Sequence, residues 1–224
     1  MSWFPQVLQV PICQRSPGVM RLRCWSSGMI ERVSPIRAFI AIELAESVKR
    51  ELSSLQRQLQ VQPSEGIKWV APEGIHLTLK FFGWVAPDRI EQIKSAIAKS
   101  IAGTGPFELR LSNLGAFPSM KRMNVVWCGL SGDLPKLNML QQSIEKWVSL
   151  LGFPTESRAF SPHLTLARLR DEVTSEVKQK LALKITRTKV DPDLTIQVGS
   201  VSLMQSTLFP TGAVYTELAR FPLS

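Results

Sequence analysis

The sequence predicts an α+β fold built as two lobes related by a pseudo-twofold axis. Each lobe is expected to be an antiparallel sheet with helices on its outer face, with an active cleft between the lobes. Three observations predict this. Strand-like and helix-like segments do not alternate strictly, and several strand-like runs follow one another through short turns. That order favours antiparallel sheets over a doubly wound parallel sheet. A strand, a helix and a short histidine-bearing strand recur in each half of the chain. Both histidines of the 224-residue chain open the same tetrapeptide: His76-Leu77-Thr78-Leu79 and, 87 positions later, His163-Leu164-Thr165-Leu166.

The elements follow in order. Residues 37–44 read as a strand. Residues 45–60 read as an amphipathic helix with Val48, Leu52, Leu55 and Leu59 on one stripe. Residues 67–70 form a short strand, and 75–83 the first histidine strand, ended by Gly83. Pro87-Asp88 opens a helix that runs to about residue 102 and buries Ile90, Ile93 and Ile97. Residues 107–117 alternate as a strand, and 124–130 form another. A helix over 134–151 is capped by Gly152. The second histidine strand spans 161–170, and 171–183 read as a short helix. Two last strands, 194–206 and 213–221, flank a turn at Pro210-Thr211-Gly212.

Bulk properties set bounds. An apolar fraction of 44% and a charged fraction of 20% suffice for a core and argue against disorder. Cys13, Cys24 and Cys128 follow no disulfide framework, so a reducing cytoplasm is the expected location. No apolar run reaches the roughly 18 residues of a membrane span. The formal charge is +9, of which +6 belongs to residues 35–224. A basic balance suits a phosphate-bearing partner.

Residues 1–34 differ from the rest. They hold Pro5, Pro11 and Pro17, Trp3 and Trp25, two of the three cysteines, and no acid before Glu31. A targeting segment fits this composition. A start assigned too early, with Met29 near the true one, fits it as well and is preferred. The expected organisation is therefore a non-conforming extension, 1–34, and a single bilobal domain, 35–224.

The histidine strings carry the chemistry. In a strand, residues i and i+2 share a face. His76 therefore shares a face with Thr78, and His163 with Thr165, while the leucines point into the core. The same alternation puts Lys80 on the His76 face. Two imidazoles facing one phosphoryl centre can serve as general base and general acid. A lone histidine on a strand is usually a packing residue, but a repeated string that uses both histidines is harder to attribute to chance. A zinc site needs three or four ligands, and neither the cysteines nor the scattered acids stand at ligand spacing. Metal-free, cofactor-free acid–base chemistry is the expectation.

The paired strings and their flanks resemble the 2H phosphoesterase superfamily. The matching residues are Arg37-Ala38-Phe39-Ile40-Ala41-Ile42 before the first helix, His76 to Gly83, Pro162 to Arg168, and Ser206 to Tyr215. Together they are similar to the branch of RNA 2′,3′-cyclic phosphodiesterases, also called bacterial 2′-5′ RNA ligases, over about residues 36–223. The resemblance implies hydrolysis of an RNA 2′,3′-cyclic phosphate end to a 2′-phosphomonoester. It implies His76 as proton donor to the departing 3′ oxygen and His163 as proton acceptor from water. It also implies a phosphate contact from Arg168, although strict alternation puts Arg168 opposite His163, so a bulge or strand end must turn it inward. Thr78 and Thr165 fit as donors to the phosphate oxygens. Phe39, Lys80 and Trp127 are further candidates for the cleft, the aromatics as stacking surfaces for bases.

A monomer acting on the end of an RNA or oligonucleotide, away from membranes, is the expected arrangement. Three alternatives share the residues: 2′-5′ ligation by the reverse chemistry, hydrolysis of another small cyclic phosphate, and RNA binding without catalysis. No Gly-x-x-x-x-Gly-Lys loop is present to drive ligation with ATP.

Overall fold

The computed structural model describes residues 34–210 and 212–224. Apart from its last residue, the N-terminal extension lies outside the described residues. The rest is α+β, with two antiparallel sheets. The strands are β1 (Ile36–Ile42), β2 (Ile67–Trp69), β3 (Leu77–Val85), β4 (Phe107–Phe117), β5 (Val125–Gly132), β6 (His163–Leu169), β7 (Thr195–Val198), β8 (Ser200–Phe209) and β9 (Gly212–Pro222). The helices are α1 (Glu46–Leu59), α2 (Ile90–Ile101), α3 (Leu134–Ser149) and α4 (Ser175–Arg187).

The first sheet runs in the order β3-β1-β8-β9 and the second β2-β6-β5-β4-β7. The expected repeat of strand, helix and histidine strand is β1-α1-β3 in one half and β5-α3-β6 in the other. One later strand of each half crosses over. After α2, β4 pairs with β5 in the second sheet; after α4, β7 stays in the second sheet against β4, and β8 pairs with β1 in the first. Each half of the chain thus completes the other half's sheet, which ties the lobes together.

That exchange corrects one expected element. Residues 194–206 are not one strand. The chain breaks at Gly199, leaving β7 against β4 and β8 between β1 and β9. Two further boundaries shift. The helix expected at 171–183 starts at Ser175, where the Thr174 hydroxyl caps it by accepting from the Val177 amide at 3.4 Å. Gly83 does not end the first histidine strand. It sits inside β3 at φ +73°, beside an irregularity in the pairing with β1, and the strand continues to Val85.

The core sits between sheets and helices. The α1 stripe of Val48, Leu52, Leu55 and Leu59 is buried as expected, as are Ile93 and Ile97 of α2. Leu77, Leu79, Leu164 and Leu166, the four leucines of the histidine strings, are buried as well. Burying a leucine side chain contributes about 1.5–3 kcal/mol, so these strands are held by their leucines and display the residues between them.

Candidate active site

Both histidines stand at the leading end of their strands, His76 just before β3 and His163 as the first residue of β6. Each is fixed by the same local device. The His76 Nδ1–H donates to the Gly74 carbonyl at 2.9 Å, and the His163 Nδ1–H to the Ser161 carbonyl at 2.8 Å. A carbonyl only accepts, so Nδ1 carries a proton in both rings. Nε2 is then the atom left to take up or release a proton.

The rings differ in their surroundings. His76 stacks on Phe39 with centroids 4.6 Å apart, and meets the ring of Tyr215 edge-on at 5.0 Å. Burial in this aromatic box lowers its pKa to about 4. The Gly74 hydrogen bond works against that shift, and the positive charge of Arg168 adds to it. His163 meets Phe117 edge-on at 5.0 Å, and Phe117 in turn leans on Trp127.

Alternation is broken once in each histidine string, at the same place. In β6, Thr165 pairs with Trp127 and Ala167 with Val126, leaving Leu166 as an extra residue. In β3, Thr78 pairs with Ala41 and Lys80 with Ile40, leaving Leu79 extra. Such bulges flip every side chain beyond them. Beyond the first bulge, Lys80 turns to the helix side and Phe81 to the histidine side. Beyond the second, Ala167 turns into the core and Arg168 to the histidine side.

The bulge that Arg168 required is therefore present, and its charge reaches His76 across the cleft. The same feature overturns the expectation that Lys80 shares a face with His76. Lys80 is 7% exposed and donates to Glu145 Oε2 at 2.8 Å and to the Pro154 carbonyl at 2.7 Å. It still lines the cavity that Thr78 and His163 share, as expected, and closes its inner end as a buried ion pair. Phe39 is also corrected. At 2% exposure it backs the imidazole of His76 and has no open face for a base. Trp127 lies on the face of Thr165, its indole flat over Gly115. A Cβ there would stand 2.3 Å from the ring, so only glycine fits beneath it.

Thr78 and His163 line one cavity of about 700 Å³, together with Phe81, Phe117, Asn124 and Arg158. His76 borders a smaller recess of about 70 Å³ with Tyr215 and Lys49. Phe81, Phe117, Tyr215 and Arg158 are site residues to which sequence pattern alone gives no role. Phe81 carries a signal all the same: it stands five residues after His76, as Arg168 stands five after His163. Cys128 is buried, and its thiol is pushed up to about 12 by desolvation, which leaves it inert. Among the described residues, no group of three or more His, Cys, Asp and Glu side chains gathers at metal-binding spacing.

Comparison with known proteins agrees with this geometry. The family model described as LigT like Phosphoesterase matches residues 42–127 and again 131–215, one match for each repeat. A curated RNA 2′,3′-cyclic phosphodiesterase of Methanothermobacter thermautotrophicus is 31% identical over 84% of this chain and 99% of its own length. One of Methanocaldococcus jannaschii is 32% identical over 80% of this chain and 96% of its own. Among solved structures, a protein of Thermus thermophilus superposes with a TM-score of 0.66 at 28% identity, covering 84% of this chain and 98% of that one. E. coli LigT complexed with ATP superposes with a TM-score of 0.64 at 26% identity, covering 86% and 99%.

Proposed function

The chain belongs to the LigT-like phosphoesterase family, and we propose that it hydrolyses 2′,3′-cyclic phosphate ends of RNA to 2′-phosphomonoesters by two-histidine acid–base catalysis. The observation that carries this reading is the pair of Nδ1-to-carbonyl hydrogen bonds, which leaves both Nε2 atoms free for proton transfer. Curated relatives whose matches span most of the chain are named RNA 2′,3′-cyclic phosphodiesterases.

In this reading His163 Nε2 takes a proton from the attacking water, and His76 Nε2 delivers one to the departing 3′ oxygen. Each transfer is typically worth about 10²–10⁴-fold. Thr78 and Thr165 donate to the non-bridging oxygens, and Arg168 offsets their charge. The exposed ring of Phe81 provides a surface for the terminal base.

The low pKa of His76 constrains the order of events. Near neutral pH the free protein holds this imidazole neutral. The acid must therefore acquire its proton together with the substrate. An arriving phosphate anion offsets the Arg168 charge and pairs with the imidazolium, and both effects raise the pKa. The same low pKa favours one second reading, with the roles exchanged and His76 as the base. Ligation uses the same residues in reverse, and excess water drives the reaction toward hydrolysis. We further propose that residues 35–224 of a single chain suffice, since both histidines belong to it. No helix among the described residues is long and apolar enough to cross a membrane.

The test is incubation with a short RNA ending in a 2′,3′-cyclic phosphate, with EDTA and without ATP, followed by mapping of the product phosphate. Hydrolysis to a 2′-phosphate is expected. Activity that vanishes with chelator and returns with a divalent ion would overturn the mechanism, and a 3′-phosphate would overturn the assignment of the leaving oxygen.

A further inference from the structure

The line of stacked rings continues past the histidine. Phe81 is 47% exposed and stacks on Phe39, with centroids 6.5 Å apart and planes at 25°. The Arg37 guanidinium lies 4.6 Å from the centroid of Phe81. Across the β1–β3 pair, Arg37 stands opposite Trp84, and cross-strand partners leave a sheet on the same side. That side is the histidine face. Arg37, Phe39 and Ala41 alternate along β1, whose pairing with β8 runs without irregularity. Val85, the residue after Trp84, is in the core at 2% exposure. Trp84 itself is 68% exposed, the largest aromatic side chain on this face and one that folding leaves in water.

In the function proposed above, the terminal nucleotide and its cyclic phosphate occupy the cleft between the histidines. The rest of the RNA strand must leave that cleft. From the Phe39–Phe81 pair to the Arg37–Trp84 pair is two residues along β1, about 7 Å, a distance of about two stacked nucleotide steps of 3.4 Å. A flat, exposed indole beside a guanidinium suits single-stranded nucleic acid. The ring stacks a base of any identity, and the cation pairs a backbone phosphate.

We propose that Trp84 and Arg37 form a second nucleotide subsite, which holds the RNA strand on the 5′ side of the cyclic phosphate end. This rests on the function proposed above and deepens it. The substrate is an oligonucleotide, and the protein discriminates it from a mononucleotide cyclic phosphate.

The test compares the parent with Trp84→Ala and Trp84→Phe on two substrates, a nucleoside 2′,3′-cyclic phosphate and a short oligoribonucleotide ending in the same group. The parent should prefer the oligonucleotide. In Trp84→Ala the ratio of kcat/KM for oligonucleotide to mononucleotide should fall about ten- to a hundredfold, through KM. Trp84→Phe, which keeps a stacking ring, should recover much of it. An unchanged ratio in Trp84→Ala, or an equal loss on both substrates, overturns the subsite. Binding of an oligonucleotide with a 2′-phosphate end, read by fluorescence anisotropy, should weaken in Trp84→Ala by a similar factor. If the parent hydrolyses neither substrate the phosphodiesterase reading fails, and the binding arm still decides for or against the subsite.

Discussion

The side-chain amide of Gln56 donates to the Leu166 carbonyl at 2.9 Å, joining α1 to the residue that β6 skips in its pairing with β5. The Val70 amide donates to the same carbonyl at 2.9 Å, and Gln56 also reaches the Val70 carbonyl at 2.7 Å. A bulge leaves an irregular backbone group, and a buried one must find a partner. Gln56 supplies it. The glutamine therefore braces the bulge, the bulge turns Arg168 toward the histidines, and a residue remote from the chemistry helps set the charge of the cleft.

Gln56→Met keeps the length of the side chain and removes its hydrogen bonds. The Val70 carbonyl then loses a buried donor, and a destabilisation of about 1–3 kcal/mol follows. Urea unfolding at pH 7.5 measures it. Turnover should fall further than an inert core change would cause, because Arg168 loses its fixed turn. A variant with lower stability but parental kcat and KM would separate the bulge from the function.

The parts of the fold written in local period are legible in the sequence. The α1 stripe, the leucines of both strings and the shared face of His76 and Thr78 follow from spacings of 3.6 and 2. The bulges do not. Nothing in Leu77-Thr78-Leu79-Lys80 announces that Leu79 is extra, so the alternation that places Thr78 correctly misplaces Lys80. The bulge at Leu166 is foreseeable only through the family resemblance, which implies a phosphate contact from Arg168. Strand exchange is equally hidden. Residues 194–206 read as one apolar run, yet Gly199 passes the chain from one sheet to the other, a consequence of partners far away in sequence. Phe39 reads as open to a base because its pattern does not show that an imidazole covers it.

Lys80 and Glu145 form a buried ion pair, their side chains 6% and 15% exposed. Removing one charge leaves the other uncompensated, so Lys80→Met alone should destabilise by about 3–5 kcal/mol. The double variant Lys80→Met/Glu145→Leu should regain most of that loss, short of the hydrogen bond to the Pro154 carbonyl. Thermal melts of the four proteins form the cycle. Losses that simply add would show that the pair is not a coupled unit.

Removing residues 1–34 should leave both structure and turnover unchanged. The first of the two family matches begins at residue 42, and the described elements begin at Ile36. A truncated protein that is insoluble, or inactive on a cyclic phosphate end, would assign the segment a role that its composition does not suggest.

The histidines give the sharpest expectations, in activity and in stability. His76→Ala and His163→Ala should each reduce kcat by about 10²–10⁴-fold, since each removes one proton-transfer partner. The double variant should be little worse than the poorer single one, because groups that act as a unit are not additive. The parent's pH–rate profile should be bell-shaped, and each single variant should lose one limb. Stability adds an independent check on His76. Its pKa is about 4 in the folded protein, below the 6.5 of a free imidazole. Between those values the unfolded chain binds a proton that the folded protein does not. Stability contributed by this group is therefore complete above pH 6.5 and declines as the pH falls toward 4, by roughly 2–3 kcal/mol at pH 4.5. His76→Gln cannot titrate and should lack that part of the decline when urea midpoints are compared at pH 7.5 and 4.5. Equal declines in parent and variant would show that the aromatic box does not hold the imidazole neutral, and His76 could then enter the reaction already protonated.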